Sequence, residues 1–414
     1  MNHLATPQTT TRKWPDEGYT RIPFWVYTDQ DIFDREMSLF FHGKTWNYIA
    51  LACEIPEPGD FIRSWVGTKP VIAIRDKHGN INVLENRCAH KGSLVCWKQR
   101  GNTNLLTCPY HQWAYAQDGT LKGVPFKNGA LGKGGLPKDF DYAGHSMHRF
   151  QTCERNGVIW ASYSSETESF EDYCGEEMLH YVDRIFPGKP LKLLGYQRQT
   201  IPCNWKMYFE NLKDPYHATL LHTFYITFGL WRADSEAYAS ATAGGKHGVM
   251  FSKNDSGKRK TGATEEMTRF SDALKLNDMD TVTPQFEFED RKAAGGTLFP
   301  SVVLQQQANS LAMRHLIPKS PNTMELSWTF FGYADDTPEM TRLRLRHANL
   351  VGPAGLVSID DSEVLSQCQI GAQGAPDDTC TIEMGGREVE PQDHMITEVQ
   401  IRGFYKWYRE AMGL

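Results

Sequence analysis

Cys88-Ala89-His90-Lys91-Gly92 and, further along, Cys108-Pro109-Tyr110-His111-Gln112-Trp113 are the segments that decide how this chain is read. Each offers one thiolate and one imidazole, and seventeen residues separate His90 from Cys108. Two thiolates on one iron and two imidazoles on the other hold a 2Fe-2S cluster of mixed ligation, whose potential lies above that of an all-cysteine cluster because neutral imidazoles replace anionic ligands. The chain is therefore expected to move electrons. A structural zinc site is the competing reading, since zinc also takes two Cys and two His. Zinc fingers, however, usually keep the cysteines in one pair and the histidines in the other, whereas each segment here supplies one of each. Gly92, Pro109, Tyr110 and Trp113 suit tight loops whose N–H groups face the cluster sulfurs and whose rings exclude water. Cys96 reads as a buried bystander, a small hydrophobe between the two pairs.

A chain of 414 residues exceeds what one hydrophobic core usually serves, so two domains are expected. Its 11 Trp, 17 Tyr and 21 Phe are ample for packed cores. The net charge of −6 argues against a nucleic-acid binder, which needs a basic excess to neutralise phosphates. Nine cysteines, two of them assigned to the cluster, show no disulfide framework and suit a reducing cytoplasm. No signal-peptide core and no apolar run of membrane-spanning length is apparent, so no membrane partner is expected.

The first two dozen residues, polar with Pro and Thr, read as an arm, and 29–42 as a short helix, which gives an N-terminal unit over 1–45. Residues 46–163 are strand-like. VIAIRD, a Lys77-His78-Gly79-Asn80 turn and INVLEN form a hairpin signal, and a second turn at Asp118-Gly119 follows. Residues 164–414 mix helical signals near 166–186, 204–230, 336–350, 360–371 and 393–412 with strand candidates at 191–202, 301–318 and 324–334. Residues 240–265, rich in Gly, Lys and Ser, read as a surface excursion. The fold class is α+β: a β-rich N-terminal domain carrying the cluster on its loops, then a domain of antiparallel sheet packed against helices.

A second metal site is suggested by His217 and His222, both within one apparent helix. Positions five apart point about 140° from each other in an ideal α-helix, so a π-type distortion near Ala218 to Leu221 is expected if both reach one metal. Chance pairing of a core and a surface histidine is the plain alternative. For a third ligand, Ser358-Ile359-Asp360-Asp361 precedes a helical pattern, though it also reads as a serine N-cap with acids in the first turn. Either Asp360 or Asp361 would complete a 2-His-1-carboxylate triad for non-heme Fe(II).

With CAHKG and CPYHQW, the segments NWKMYFENLKDPYHATLLH, NLVGPAGLVSIDDSEV and RGFYKWYREAMG resemble, over nearly the whole chain, the large α subunit of Rieske non-heme iron aromatic-ring hydroxylating oxygenases. KWP with IPFWVYT, and FGLWRAD, resemble the members acting on salicylate, with those acting on anthranilate and terephthalate near them. The resemblance implies a Rieske domain, a helix-grip catalytic domain and an α3β3 assembly with a small β subunit. It also implies electrons from NAD(P)H through a reductase and a ferredoxin, with O2 as co-substrate. Carried over by position, Cys88, His90, Cys108 and His111 become cluster ligands, and His217, His222 and Asp361 iron ligands. Asp214 matches the family's bridging aspartate, which joins a cluster histidine of a neighbouring subunit to an iron histidine of its own; before Pro215 it is equally a good N-cap. Lys91 departs from the arginine more common after CAH.

The expected reaction is hydroxylation of a monocyclic aromatic acid, salicylate to gentisate first, with cis-dihydroxylation of anthranilate, terephthalate or a halobenzoate as the alternative. Arg314 is the candidate anchor for the substrate carboxylate, and Gln307 a hydrogen-bonding partner. Read as one strand, their odd separation puts them on opposite faces unless a bulge intervenes, and Arg314 is equally readable as a surface ion pair. A Rieske electron carrier would leave some 250 residues idle, and a reductase lacks the GxGxxG fingerprint.

Overall fold

The computed structural model describes residues 12–228, 230–231, 233, 235–253, 276–288 and 292–414. Its C-terminal domain is built on a seven-stranded antiparallel sheet. In spatial order the strands are Leu191–Ile201, Thr323–Tyr333, Ser310–Ser320, Val302–Gln307, Lys292–Leu298, His247–Lys253 and Ala237–Thr242. Alternation sends Val302, Leu304 and Met313 to one face, under the Phe170–Ile185 helix, and Val303, Ala312 and Trp328 to the other. That second face meets the Trp205–Asn211, Ser358–Gly374 and Val399–Met412 helices, the last lying along the Ala237–Thr242 edge as the gripped helix.

The N-terminal domain is made of short antiparallel strands. A four-stranded sheet (Ile81–Glu85, Lys69–Arg75, Asp60–Val66, Arg100–Asn102) packs with a three-stranded one (Gln151–Arg155, Val158–Ser162, Asn47–Leu51). The cluster-loop sheet consists of Leu106–Thr107, Ala114–Tyr115 and Leu121–Gly123. Both expected hairpin turns are present, between Arg75 and Ile81 and between Tyr115 and Leu121. The mixed helix-and-antiparallel-sheet class is thus the one anticipated.

Several local expectations are corrected. Among the described residues the N-terminal segment is no arm: from Trp14 on it is core, and Ile22, Trp25, Val26, Tyr27, Phe33, Phe40 and Phe41 pack with Trp205, Phe209 and Phe404, while 1–11 lie outside the described residues. Arg21–Pro23 even pairs with Thr379–Thr381. Hydrophobic side chains spaced along a polar sequence hid this. The expected helix is Gln30–Glu36, capped by Asp29 and continued by a π-turn over Met37–Phe41. Residues 240–253 form a hairpin of the main sheet rather than an excursion, with Val249 fully buried, while 254–265 lie outside the described residues. The 301–318 strand is two strands, folded back at Ala308-Asn309, where Ala308 takes φ 51° without a glycine to announce the turn.

The N-terminal strap is tied down by a buried ion pair. Lys206 Nζ lies 2.7 Å from Glu36 Oε1, and both side chains are fully buried. Asn204 Oδ1 accepts from Lys206 Nζ at 2.8 Å, and Trp205 Nε1 and Tyr408 OH donate to Glu36. Removing one partner from such a pair leaves an uncompensated charge in the core. Lys206→Ala is expected to cost about 3–5 kcal/mol in urea unfolding, and Lys206→Met combined with Glu36→Gln to recover most of that loss.

Candidate metal centres

The two Cys-His loops share one closure. Cys88 N donates to Ser93 O at 2.9 Å and Gly92 N to Cys88 O at 2.9 Å. In the second loop Cys108 N donates to Trp113 O at 2.9 Å and Gln112 N to Cys108 O at 3.0 Å. Gly92 and Gln112 occupy equivalent positions, both at positive φ (74° and 56°), so one backbone turn is used twice. The thiols are buried, whereas His90 is partly exposed and His111 exposed, their rings 4.5 Å apart. Trp113 stacks on His90 at 4.8 Å, and Tyr115 OH lies 3.2 Å from Cys88 Sγ, a contact that would tune Cys88 as a cluster thiolate. Tyr110 shields nothing from water: it is 66% exposed, because its loop turns it outward beside His111. Cys96 is buried as expected.

A single zinc ion at 2.0–2.3 Å from each ligand requires ligand atoms within about 4.6 Å of one another. Among the described residues only His217, His222 and Asp361 bring three such atoms together, all within 4.8 Å.

The triad depends on two interruptions of helix. Asp214 (φ −110°, ψ 91°) separates the Trp205–Asn211 helix from Pro215–Leu221 and caps the latter through Tyr216 N and His217 N. The expected π-turn at Ala218–Leu221 is absent; the helix stops at His222 (φ −88°, ψ 79°), and Thr223–Phe228 begins a new one. Helical geometry no longer governs His222, and its ring comes to 5.5 Å from that of His217. Asp361 Oδ1 lies 3.5 Å from His217 Nε2 and 3.2 Å from His222 Nε2. Asp360 instead lies 3.4 Å from His222 Nδ1, on the far side of that ring. Ser358 is not the N-cap; Val357 holds that position without a side-chain bond.

Burial alone would pull the pKa of His217 down, but the Asp214 and Asp361 carboxylates outweigh it and raise it to about 10. Burial works against the Asp361 carboxylate too, yet the two imidazoles hold its pKa far below the usual range. Asp214 Oδ2 stands 3.3 Å from His217 Nδ1.

Residues 170–414 match the family described as ring hydroxylating alpha subunit (catalytic domain), and residues 45–133 match the Rieske [2Fe-2S] domain. The chain belongs to the ring-hydroxylating oxygenase α subunits. It is 44% identical to the salicylate 5-hydroxylase large oxygenase component of a Ralstonia species, over 97% of this chain and 96% of that one. It is 40% identical to the anthranilate 1,2-dioxygenase large subunit of Burkholderia cepacia, over 97% and 95%. In fold it resembles the indole-bound naphthalene 1,2-dioxygenase of a Rhodococcus species, with a TM-score of 0.77, 24% identity and 95% and 94% of the two chains covered. Two cofactors characterise the family, a Rieske 2Fe-2S cluster and a non-heme iron, with O2 and with NAD(P)H acting through a reductase. The two donor sets fit them: paired thiols and imidazoles for the cluster, a histidine pair with one carboxylate for the iron.

This α subunit carries a pocket, of about 630 Å³, against the triad. Its walls include Leu212, Ala218, Met250, Val303 and Val357, and Arg314, Gln305 and Gln307 line it too. The hairpin overturns the opposite-face expectation. Arg314 sits across from Val303 and Ala312 across from Gln305, so Val303, Gln305, Gln307 and Arg314 share a face. Nor is Arg314 a surface residue: it is 6% exposed, its guanidinium lies 4.2 Å over Trp328, and it donates to Gln305 Oε1 through Nε and Nη2. Among the described residues no carboxylate pairs with it. Sequence reasoning missed Asn211, whose Nδ2 lies 3.2 Å from His217 Nε2 and 3.3 Å from Asp361 Oδ1. It also missed Gln305, though three glutamines in a buried strand are a polar anomaly. FGLWRAD falls partly outside the described residues; its Trp231 is buried on the pocket wall.

Because iron takes a neutral imidazole, its binding must displace the proton of His217, and affinity rises with pH up to about 10. Calorimetry of Fe(II) binding to iron-free protein at pH 7.5, in buffers of differing ionisation heat, is expected to read about one proton released per iron. Asp361→Asn should abolish iron retention and Asp360→Asn preserve it, measured by iron analysis.

Proposed function

We propose that this α subunit is the terminal oxygenase for a monocyclic aromatic acid, with salicylate hydroxylated at carbon 5 to give gentisate. The observation that carries the reading is Arg314, a buried cation on the pocket wall with no carboxylate of its own among the described residues. A buried charge left unpaired is costly, and a bidentate carboxylate is the anion its planar fork fits best. Gln305 fixes the guanidinium, and Gln307 extends the same polar row. The 44% identity to a salicylate 5-hydroxylase component favours salicylate over the dihydroxylation of anthranilate, terephthalate or a halobenzoate.

In this reading Cys88, His90, Cys108 and His111 hold the cluster, and His217, His222 and Asp361 hold the iron. When bound, the cluster supplies single electrons and the iron the O2-dependent hydroxylation. Asn211 stands beside His217 Nε2 and holds Asp361 Oδ1, the apolar wall excludes water, and Arg314 turns the ring toward the triad. Asp214 couples the centres across a subunit boundary: one oxygen caps its own helix and the other faces His217 Nδ1, on the side away from the triad. The assembly we propose is α3β3, with a small β subunit, served by a ferredoxin and a ferredoxin reductase in the cytoplasm. The nine cysteines are all free, and no described helix is long and apolar enough to cross a membrane.

Reconstituted with those partners, the protein is expected to convert salicylate to gentisate, by product analysis against anthranilate, terephthalate and 2-halobenzoates. Arg314→Ala should raise KM for salicylate at least tenfold, as loss of a charge-assisted contact does. An unchanged KM removes Arg314 as anchor. Asp214→Asn should keep both metals and lose most turnover; full activity removes the bridging role.

A further inference from the structure

Tyr225 follows His222 by one helical turn and is only 3% exposed. Its ring stands 5.2 Å from that of His222. It lines both the pocket beside the triad and a second cavity of about 560 Å³, and it shares that position with Gln307. Its hydroxyl is buried without a hydrogen-bond partner. Burial pushes the phenol pKa far up, with the Arg314 charge and the Gln307 amide as its polar neighbours. Trp231 Nε1, on the same wall, is also buried and unsatisfied. Buried polar groups are nearly always paired in a folded protein, so the unpaired Tyr225 hydroxyl and Trp231 Nε1, in a pocket that also holds the unpaired Asn211 Oδ1, mark places a ligand fills.

We propose that Tyr225 reads the substituent next to the carboxylate, and so selects benzoates bearing a hydroxyl or amino group at the ortho position. The inference rests on Arg314 as the carboxylate anchor. A group on the adjacent ring carbon then falls to an unpaired polar neighbour of the anchor that lines the same pocket, the Tyr225 hydroxyl. A phenol both donates and accepts, so it satisfies either a hydroxyl or an amine. The indole N–H of Trp231 only donates and cannot match an amine's protons. A benzoate without the ortho group leaves Tyr225 as it is in the free protein, and a para-dicarboxylate places its second group away from it. Tyr225 is a specificity residue, distinct from the ligands of the iron.

The test is anaerobic calorimetry on the holoenzyme, with salicylate, anthranilate, benzoate and terephthalate as probes, for the native protein, Tyr225→Phe and Arg314→Ala. Tyr225→Phe removes one unpaired oxygen and nothing else, so its cluster absorbance and unfolding midpoint should match the native protein. It is expected to weaken salicylate and anthranilate about tenfold, as loss of a buried hydrogen bond does, and to leave benzoate and terephthalate within twofold. Arg314→Ala should weaken all four. Equal weakening of benzoate and salicylate by Tyr225→Phe, or no weakening of salicylate, overturns the inference while the aromatic-acid reading stands. If the native protein binds none of the four acids, both fall together.

Discussion

One carboxylate oxygen, Asp361 Oδ1, faces both His217 Nε2 and His222 Nε2, and the rest of the catalytic domain is arranged so that this convergence is possible. Two histidines five residues apart on an unbroken helix diverge. The chain resolves the conflict by leaving helical geometry twice, at Asp214 and at His222. Asp214 supplies the missing acceptor for the new helix start, so the residue that breaks the helix also satisfies its orphan N–H groups and stands against His217. Helix capping and contact with His217 coincide in one side chain.

Holding three short helices in that broken path takes support from below. The support is the N-terminal strap, whose Tyr27, Phe40 and Phe41 pack with Trp205, Phe209 and Phe404. Polar groups thread this core: Lys206 with Glu36, and Glu210 with Tyr27 and Tyr405. Burial raises the Glu210 carboxyl to about 7, above its ordinary 4.5. The folded chain therefore holds that proton more tightly than the unfolded chain, and this group's stabilising contribution is lost as pH rises from about 4.5 through about 7. Buried pairs of this kind add little net stability but penalise packings in which they are separated.

Much of the site was legible because ligand chemistry constrains residue type and spacing. Cys88, His90, Cys108 and His111 announce themselves as two one-thiol, one-imidazole pairs, a pattern few other structures need. His217, His222 and the Asp360-Asp361 pair were visible, but spacing left the acid undecided; orientation at the start of the Ser358–Gly374 helix sends Asp361 to the triad and Asp360 to the outer nitrogen of His222. What failed was local conformation without a residue signature. The turn at Ala308-Asn309 contains no glycine or proline, so one apparent strand concealed the hairpin that puts Gln307 and Arg314 on one face. The wide helical turn does exist, but at Met37–Phe41, where nothing in the sequence marks it. Asn211, Gln305 and Tyr225 belong to no motif, and only three-dimensional proximity exposes them.

The placement of the strap changes what kind of object the cluster domain is. Residues before it and after it belong to a single core, and the Asn47–Leu51 strand that opens the domain lies antiparallel to the Val158–Ser162 strand that closes it. The chain thus enters and leaves at neighbouring points, as a plug-in module does, and the two units are nested rather than joined end to end. A cut near residue 163 would strip the catalytic half of Trp25, Phe33 and Phe41 and expose the apolar wall they cover. The catalytic core closes only once residues 14–41 and 399–412 have both been made, and the electron-carrying module is carried inside that closure from the outset.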